Sequence, residues 1–371
     1  AGDNATALNE IRSLEKKKDL NSYELAQMYT FYGFLYYDQE NYPKAIEAYQ
    51  NVLRQENLPK ALETGTRYSL AQLYFATEDY PNAVRALNAW FEVAKNPGPE
   101  PYILLGQAYY QTKEYNKAIS PILRGMELAK ERGKEIKENW YLILRVIYFE
   151  QGNNKKVAEI LETLVRQFPK KEYWTQLSGI YGELGRSREQ TITYELAYLQ
   201  GFLDSSREIV TLSQLLLQSE VPYRAATILE KGIEDGMVDG DAKNYRLLSQ
   251  AWMVANEDDK AIPALREAAR LSGDGELDVR LAQSYLNTEN WDGAVTSVRA
   301  GISKGGLRRR DQAHTILGMA LYEQEKFNEA LNAFREAAKD PRSSKVAAQW
   351  VQHIEKEKER VKQLAEARRR T

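Results

Sequence analysis

One position recurs along the whole chain at intervals of 33 to 39 residues. Seven of its nine occurrences are alanine, and the two exceptions are a valine and a glutamine. The occurrences are Ala45, Ala83, Ala118, Val157, Gln190, Ala225, Ala261, Ala294 and Ala330. A repeat of about 35 residues with helical periodicity indicates stacked pairs of helices, because each pair can bury its apolar face only against its neighbours.

The apolar pattern inside one interval predicts two helices separated by a turn. In the first interval, one stripe of a first helix is formed by Tyr29, Tyr32, Gly33 and Tyr36. The turn is marked by Tyr42 and Pro43, and the stripe of a second helix follows at Ala45, Tyr49 and Val52. Spacings of three and four residues place each stripe on a single helical face, so the two faces can pack against each other.

These positions resemble the tetratricopeptide repeat (TPR) family, whose 34-residue pattern combines a Leu-Gly pair, a tyrosine, small alanines and aromatic residues. A well-matched unit reads Leu105, Gly106, Tyr109, Tyr115 and Ala118. The resemblance implies an all-α, right-handed superhelical solenoid with a concave groove lined by the first helices. Units four to six depart from the pattern, because Arg145 replaces the glycine and Val157 and Gln190 replace the alanine.

The register predicts one solenoid over residues 1–371. Residues 1–18 are interpreted as a half repeat without its first helix, and residues 22–341 as nine complete repeats. Residues 342–371 are expected to form a capping and charged helix that closes the last hairpin through Val346, Trp350 and Ile354. Because the sequence lacks an initiating Met, we expect a preceding segment to have been removed.

Composition excludes several classes of function. The formal net charge of −2 provides no bulk electrostatic attraction for nucleic acid. No run of 18 apolar residues occurs, so we expect no membrane span. Cysteine is absent, which excludes disulfides, thiol catalysis and thiolate metal sites, but it fits both the periplasm and the cytoplasm.

The sequence contains no motif of an enzyme active site. Its two histidines are His314 and His353, and His314 lies at a large-residue site of a first helix, which favours a packed, hydrogen-bonded role. Phosphate-binding glycine loops, nucleophile elbows and zinc-binding helix motifs are not found. We therefore expect a protein that is not an enzyme, with no catalytic residue, no cofactor and no metal.

The groove carries the candidate binding residues. Helical geometry and the resemblance place the second, fifth, ninth and twelfth sites of each repeat on the concave face, counted so that Gly33 and Gly106 occupy the eighth site. The candidates for partner binding are Phe34, Tyr37, Tyr68, Gln72, Phe75, Gln107 and Tyr110. Glutamine amides both donate and accept hydrogen bonds, so they could pair with the backbone of an extended peptide. In the alternative, tight curvature buries the aromatic rings between first helices and the glutamines only cover them.

Basic residues form a second feature with two interpretations. The run Arg308–Arg310 is either a solvated turn or a docking site for an acidic partner or an anionic membrane surface. A clamp for a terminal carboxylate, which some TPR proteins carry, is disfavoured because the fifth and ninth sites of the first unit are Thr30 and Phe34. Lys243 and Arg246 are the only basic pair on one first helix of the groove.

The sequence thus predicts a non-enzymatic scaffold that binds a peptide segment or a partner protein in its groove. A regulatory solenoid that binds a small molecule or a glycan and serves an enzyme is the alternative. The overall style is similar to bacterial envelope repeat proteins, including those that accompany the TonB system, so the periplasm is the expected compartment and the cytoplasm the alternative. The identity of the partner and the oligomeric state stay open.

Overall fold

The structure is a computed structural model that describes residues 2–17 and 19–370, without the side chains of residues 2–5, 7 and 364–370. Predictions for residues 1, 18 and 371 therefore lie outside the described residues. The described part of the chain forms twenty α-helices and no strand, which confirms the all-α fold. The helices are α1 (Gly2–Glu15), α2 (Ser22–Asp38), α3 (Tyr42–Leu53), α4 (Lys60–Ala76), α5 (Tyr80–Val93), α6 (Pro99–Gln111), α7 (Tyr115–Glu131), α8 (Glu138–Glu150), α9 (Asn154–Gln167), α10 (Lys171–Glu183), α11 (Ser187–Leu199), α12 (Ser206–Gln218), α13 (Pro222–Glu234), α14 (Ala242–Val254), α15 (Asp258–Leu271), α16 (Glu276–Asn287), α17 (Trp291–Lys304), α18 (Arg310–Glu323), α19 (Phe327–Ala337) and α20 (Pro341–Arg370).

The contacts divide the chain into two compact units, Ala1–Leu184 and Gly185–Thr371. The first unit holds α1 to α10, and the second holds α11 to α20. Within each unit every helix packs on the next one along the chain, as expected for stacked hairpins. That the whole chain forms a single solenoid stays a prediction.

Small residues let the two helices of a hairpin approach closely. The seven recurring alanines are fully buried, and Val157 is 2% exposed. In the third hairpin, a Cβ on Gly106 of α6 would overlap the Ile122 side chain of α7 and lie 3.0 Å from the carbonyl oxygen of Ala118. Such density leaves no room for an added methyl group, so the size of these residues sets the distance between the helices.

The hairpin turns share one backbone arrangement. Glu40, Glu78 and Lys113 each lie seven residues after the eighth site, and each has a positive φ of 57° to 61°. The next amide reaches back to the preceding helix: Asp79 N–H donates to Tyr74 O at 2.8 Å and Glu114 N–H to Tyr109 O at 2.9 Å. This six-to-one hydrogen bond is the Schellman motif, which ends the first helix and starts the turn.

The fourth hairpin departs from this packing, as its sequence predicts. The long Arg145 side chain cannot occupy the glycine's place between the helices and instead hydrogen-bonds to Gln176 of α10. A cavity of about 340 Å³ lies beside it, lined largely by Phe149, Val157, Leu161 and Ile180. In the sixth hairpin the glycine is replaced by Ser213, whose hydroxyl donates to Ala225 O at 3.1 Å and so preserves the contact.

Helix α20 covers the last hairpin, and one residue of the predicted cap is wrong. Trp350 stacks on Phe334 with ring centroids 5.3 Å apart, and Ile354 is fully buried. Val346 is 49% exposed, whereas its neighbour Ala347 is fully buried. The reason is helical spacing: residues 347, 350 and 354 share one face, whereas steps of four from 346 drift around the helix.

A buried carboxylate ties α20 to α18. The Asp311 side chain is 1% exposed and accepts two hydrogen bonds from Arg309, at 3.0 and 2.7 Å, and one from the Ser343 hydroxyl at 2.6 Å. The Arg309 hydrogen bonds are the largest cause that holds the pKa of Asp311 well below its ordinary value, with Ser343 assisting. Asp311 therefore stays ionised at neutral pH and contributes to the stability of the C-terminal hairpin.

We expect Gly106→Ala to destabilise the third hairpin by about 1–3 kcal/mol, because the new methyl group overpacks the helix contact. Gly65→Ala on α4 is the matched control, since a Cβ there meets nothing within 4 Å and gains helix propensity of about 1 kcal/mol. Thermal unfolding followed by circular dichroism measures both variants. Equal stability of the Gly106→Ala and Gly65→Ala variants would contradict the close contact between α6 and α7.

The Asp311 network predicts a pH-dependent stability. A lowered folded pKa means that the contribution is complete above the unfolded pKa of about 4 and is lost as the pH falls toward the folded pKa. Asp311→Asn should therefore cost about 1–3 kcal/mol at pH 7 and progressively less below about pH 4. Asp340→Asn, which removes the same charge at a more exposed position, should cost under about 1 kcal/mol. Denaturant titrations at several pH values test the difference.

Candidate functional site

The first unit contains a cavity of about 690 Å³ formed by successive first helices. Helices α2, α4 and α6 provide most of its wall, and the start of α8 closes one end. Five of the seven residues predicted from the sequence line it: Phe34, Tyr37, Tyr68, Gln72 and Gln107. We call this cavity the aromatic cavity.

Two aromatic rings of α2 form an exposed wall of the aromatic cavity. Phe34 is 60% exposed and Tyr37 is 53% exposed. The alternative interpretation, in which curvature buries the rings between first helices, therefore does not describe these two residues. Exposed rings grouped in a concave surface provide apolar area that a ligand can cover.

Tyr68 forms the middle of the wall and is held in place by packing. Its ring lies 5.2 Å from that of Trp90, measured between centroids. Burial raises the pKa of the Tyr68 hydroxyl above its ordinary value, and the nearby Glu100 carboxylate adds to the effect. The hydroxyl is thus neutral at pH 7 and can donate a hydrogen bond.

Two glutamines occupy the ninth site of consecutive repeats in the aromatic cavity. Both residues, Gln72 and Gln107, line the cavity, and their amides make no hydrogen bond to another residue in the described part of the chain, so their donors and acceptors are available to a ligand. Each amide can pair with one N–H and one C=O of a bound backbone.

Polar residues at one end of the aromatic cavity were missed by the sequence analysis. Glu100 forms an ion pair with Lys134 at 2.8 Å, and this hydrogen bond is the largest cause that lowers the pKa of Glu100. Lys137 and Asn139 lie beside it on the cavity wall. Glu100 and Asn139 occupy the second site of their repeats, so the same site rule identifies them once polar residues are included.

The other two predicted residues lie outside the aromatic cavity. Phe75 packs edge-on against Tyr80 with centroids 5.3 Å apart, and Tyr110 lies 5.9 Å from Tyr115. Both occupy the twelfth site, at the last turn of a first helix, and contact the aromatic residue five positions later. Tyr37 makes the same contact with Tyr42, at 5.9 Å, but also lines the cavity. Phe75 and Tyr110 brace the hairpin turns, and their part in binding stays a prediction.

The two histidines, which are the residues most suggestive of catalysis, pack against neighbouring helices. His314 is half-buried, and burial is the largest cause that lowers its pKa. Its Nδ1 atom is buried without a hydrogen-bond partner, so the predicted packing is present but the predicted hydrogen bond is not. His353 Nε2 lies 3.0 Å from the Tyr322 hydroxyl. Among the described residues no cluster of His, Cys, Asp or Glu could hold a metal ion, and no described helix is long and apolar enough to cross a membrane.

Comparison with known families agrees with the paired helices. The model of the tetratricopeptide repeat family matches residues 33–98, 68–129 and 279–344. The matched segments are tetratricopeptide repeats. The aromatic cavity lies mainly within the first two matched segments, on the first helices of its TPR units.

Several solved structures are similar to this chain. The MamA protein is 18% identical, with a TM-score of 0.39 over 47% of this chain and 92% of MamA. The TPR2AB domain of yeast Sti1 in complex with pHSP90 is 14% identical, with a TM-score of 0.35 over 79% of this chain and 98% of that one. YrrB, described as a TPR protein with an unusual peptide-binding site, is 15% identical, with a TM-score of 0.40 over 52% of this chain and 97% of YrrB. No curated protein matches the sequence.

Proposed function

We propose that this protein is a non-enzymatic interaction scaffold that holds an extended peptide segment of a partner protein in the aromatic cavity. The observation that carries the proposal is that the exposed rings of Phe34 and Tyr37 line the same cavity as Gln72 and Gln107, whose amides have no hydrogen-bond partner among the described residues. Apolar side chains of the peptide would cover the rings, and its backbone would pair with the amides.

The size and composition of the aromatic cavity support this mode of binding. Its volume of about 690 Å³ lies inside the range of roughly 300–1,000 Å³ in which ligand cavities fall. Rigid rings provide buried area at a low cost in side-chain entropy, so a few of them can supply most of the affinity. Lys137 and Asn139 at the polar end would orient the segment by hydrogen bonds to its carbonyl or carboxylate groups.

We further propose a place for the scaffold in the periplasm, within a bacterial envelope assembly such as a TonB-type system. The absence of cysteine is compatible with an oxidising compartment and supports this proposal. Fractionation of the source cells tests it: recovery of the full-length protein in the cytoplasmic fraction would exclude the periplasm.

The partner can be identified with a photo-crosslinking residue at position 34, and the captured segment then synthesised as a peptide. We expect Phe34→Ala with Tyr37→Ala to weaken binding of that peptide by about 2 kcal/mol or more in calorimetry. Tyr23→Ala with Phe31→Ala is the matched control, because these α2 rings are 51% and 57% exposed but do not line the cavity. Unchanged binding by the first variant, or equal loss in the control, would contradict the proposal.

A glycan is the competing ligand, because aromatic rings and amides also stack and hydrogen-bond sugars. The peptide and glycan classes separate by competition. If soluble oligosaccharides displace the crosslinked segment and bind the isolated protein with the same dependence on Phe34 and Tyr37, the ligand is a saccharide and the peptide proposal fails.

A further inference from the structure

The second unit contains a cleft of a different chemical character. Two adjoining cavities of about 490 and 530 Å³ share Glu276, Arg280 and Arg308 in their walls. They are formed by first helices α14, α16 and α18 and by the turn before α18. We call the pair of cavities the basic cleft.

Cations dominate the wall of the basic cleft. Two lining residues are carboxylates, Asp274 and Glu276. The lining cations are Lys243, Arg246, Arg280, Arg308, Arg309 and Arg342. This local excess arises although the whole chain carries a net charge of −2, so it is a property of the place and not of the composition.

Part of this positive charge is balanced by carboxylates. Arg309 makes two hydrogen bonds to Asp311, and Arg342 lies 2.7 Å from Asp340. Arg308 lies 3.6 Å from Glu276, and its backbone N–H donates to the same carboxylate at 2.6 Å. These three arginines therefore belong to structural ion pairs at the rim.

The other three cations have no such balance. Lys243, Arg246 and Arg280 are exposed, and their side chains form no ion pair or hydrogen bond with another residue in the described part of the second unit. Like charges gathered in one cleft repel each other, and a bound anion would relieve this repulsion. The side-chain N–H groups of these three residues are therefore available to an acidic ligand.

The frame of the basic cleft is fixed by close backbone contacts. Gly275 N–H donates to Gly305 O at 2.9 Å, and a Cβ on Gly275 would overlap the carbonyl group of Gly301. These contacts hold the turn after α17 against the start of α16. They place the Arg308 backbone against Glu276. The cleft is therefore preformed, and binding a ligand would cost little conformational entropy.

We infer that the basic cleft binds a short internal run of carboxylate side chains in an acidic peptide segment. Guanidinium groups bind carboxylates in a two-pronged geometry, which suits Arg246 and Arg280 on successive first helices. The cations are distributed over two cavities instead of converging on one point, which favours several carboxylates over one phosphate. No aromatic ring lines the cleft among the described residues, so it lacks the stacking surface of a single-stranded nucleic acid site.

The test uses the full chain and a fluorescein-labelled hexaglutamate peptide with an amidated C-terminus, followed by fluorescence polarisation. We expect saturable binding that weakens as sodium chloride is raised from about 50 to 300 mM, because salt screens exposed charges. Arg246→Gln with Arg280→Gln should lower the affinity at least about fivefold at low salt. Arg246→Lys with Arg280→Lys should lower the affinity less, since the positive charge remains and only the two-pronged guanidinium geometry is lost.

Lys231→Gln with Lys326→Gln is the matched control, because it removes the same charge from exposed positions outside the cleft in the second unit. Its binding should match that of the unaltered protein. An equal loss in this control would show diffuse attraction and overturn the inference. The inference is also overturned if no saturable binding occurs at low salt, if tripolyphosphate competes more tightly than the peptide, or if only a peptide with a free C-terminal carboxylate binds. The aromatic cavity uses other residues and another probe, so either proposal can fail alone.

Discussion

The close approach of two helices within a hairpin is the constraint on which the packing of each unit depends. In three hairpins it is set by a glycine that faces the second helix: a Cβ on Gly33 would lie 2.6 Å from the Tyr49 ring, one on Gly318 would lie 2.7 Å from the Phe334 ring, and one on Gly106 would overlap Ile122. Because the partner ring or aliphatic group fills the space, neither helix can rotate without losing dense packing. Where Arg145 replaces the glycine in the sequence, a cavity lies beside the hairpin.

This fixed packing decides which residues are left for function. Residues next to the glycine site on the first helices cannot enter the hairpin core, so they form a surface whose chemistry is free to vary between repeats. In the first unit that surface carries exposed rings and unused amides, whereas in the second unit it carries unpaired cations. One backbone pattern therefore presents two chemically different surfaces, one for each proposed ligand class.

The repeat register could be predicted from the sequence because it depends on residue size at fixed intervals. The helix pairs, the buried alanines and the grouping of five of the seven candidate residues around one cavity followed from it. The positions of Phe75 and Tyr110 did not, since they share the twelfth site with Tyr37, which lines the cavity, and the site pattern alone does not distinguish the three rings. The polar end of the aromatic cavity at Lys137, and the burial of Ala347 in place of Val346, depend on packing between helices that the periodicity leaves undetermined.

The Schellman turns have a consequence for how the chain acquires its structure. The bond from Asp79 N–H to Tyr74 O closes a ring between residues five apart, and a hairpin's remaining contacts join residues near in sequence. Contacts between residues near in sequence have a low entropic cost of loop closure, so they form quickly. A ribosome releases the N-terminal residues first, so the hairpins α2/α3 and α4/α5 can close while later repeats are still being synthesised. Within the first unit, each new hairpin can then dock on a finished one, so synthesis and assembly of that unit proceed in the same direction.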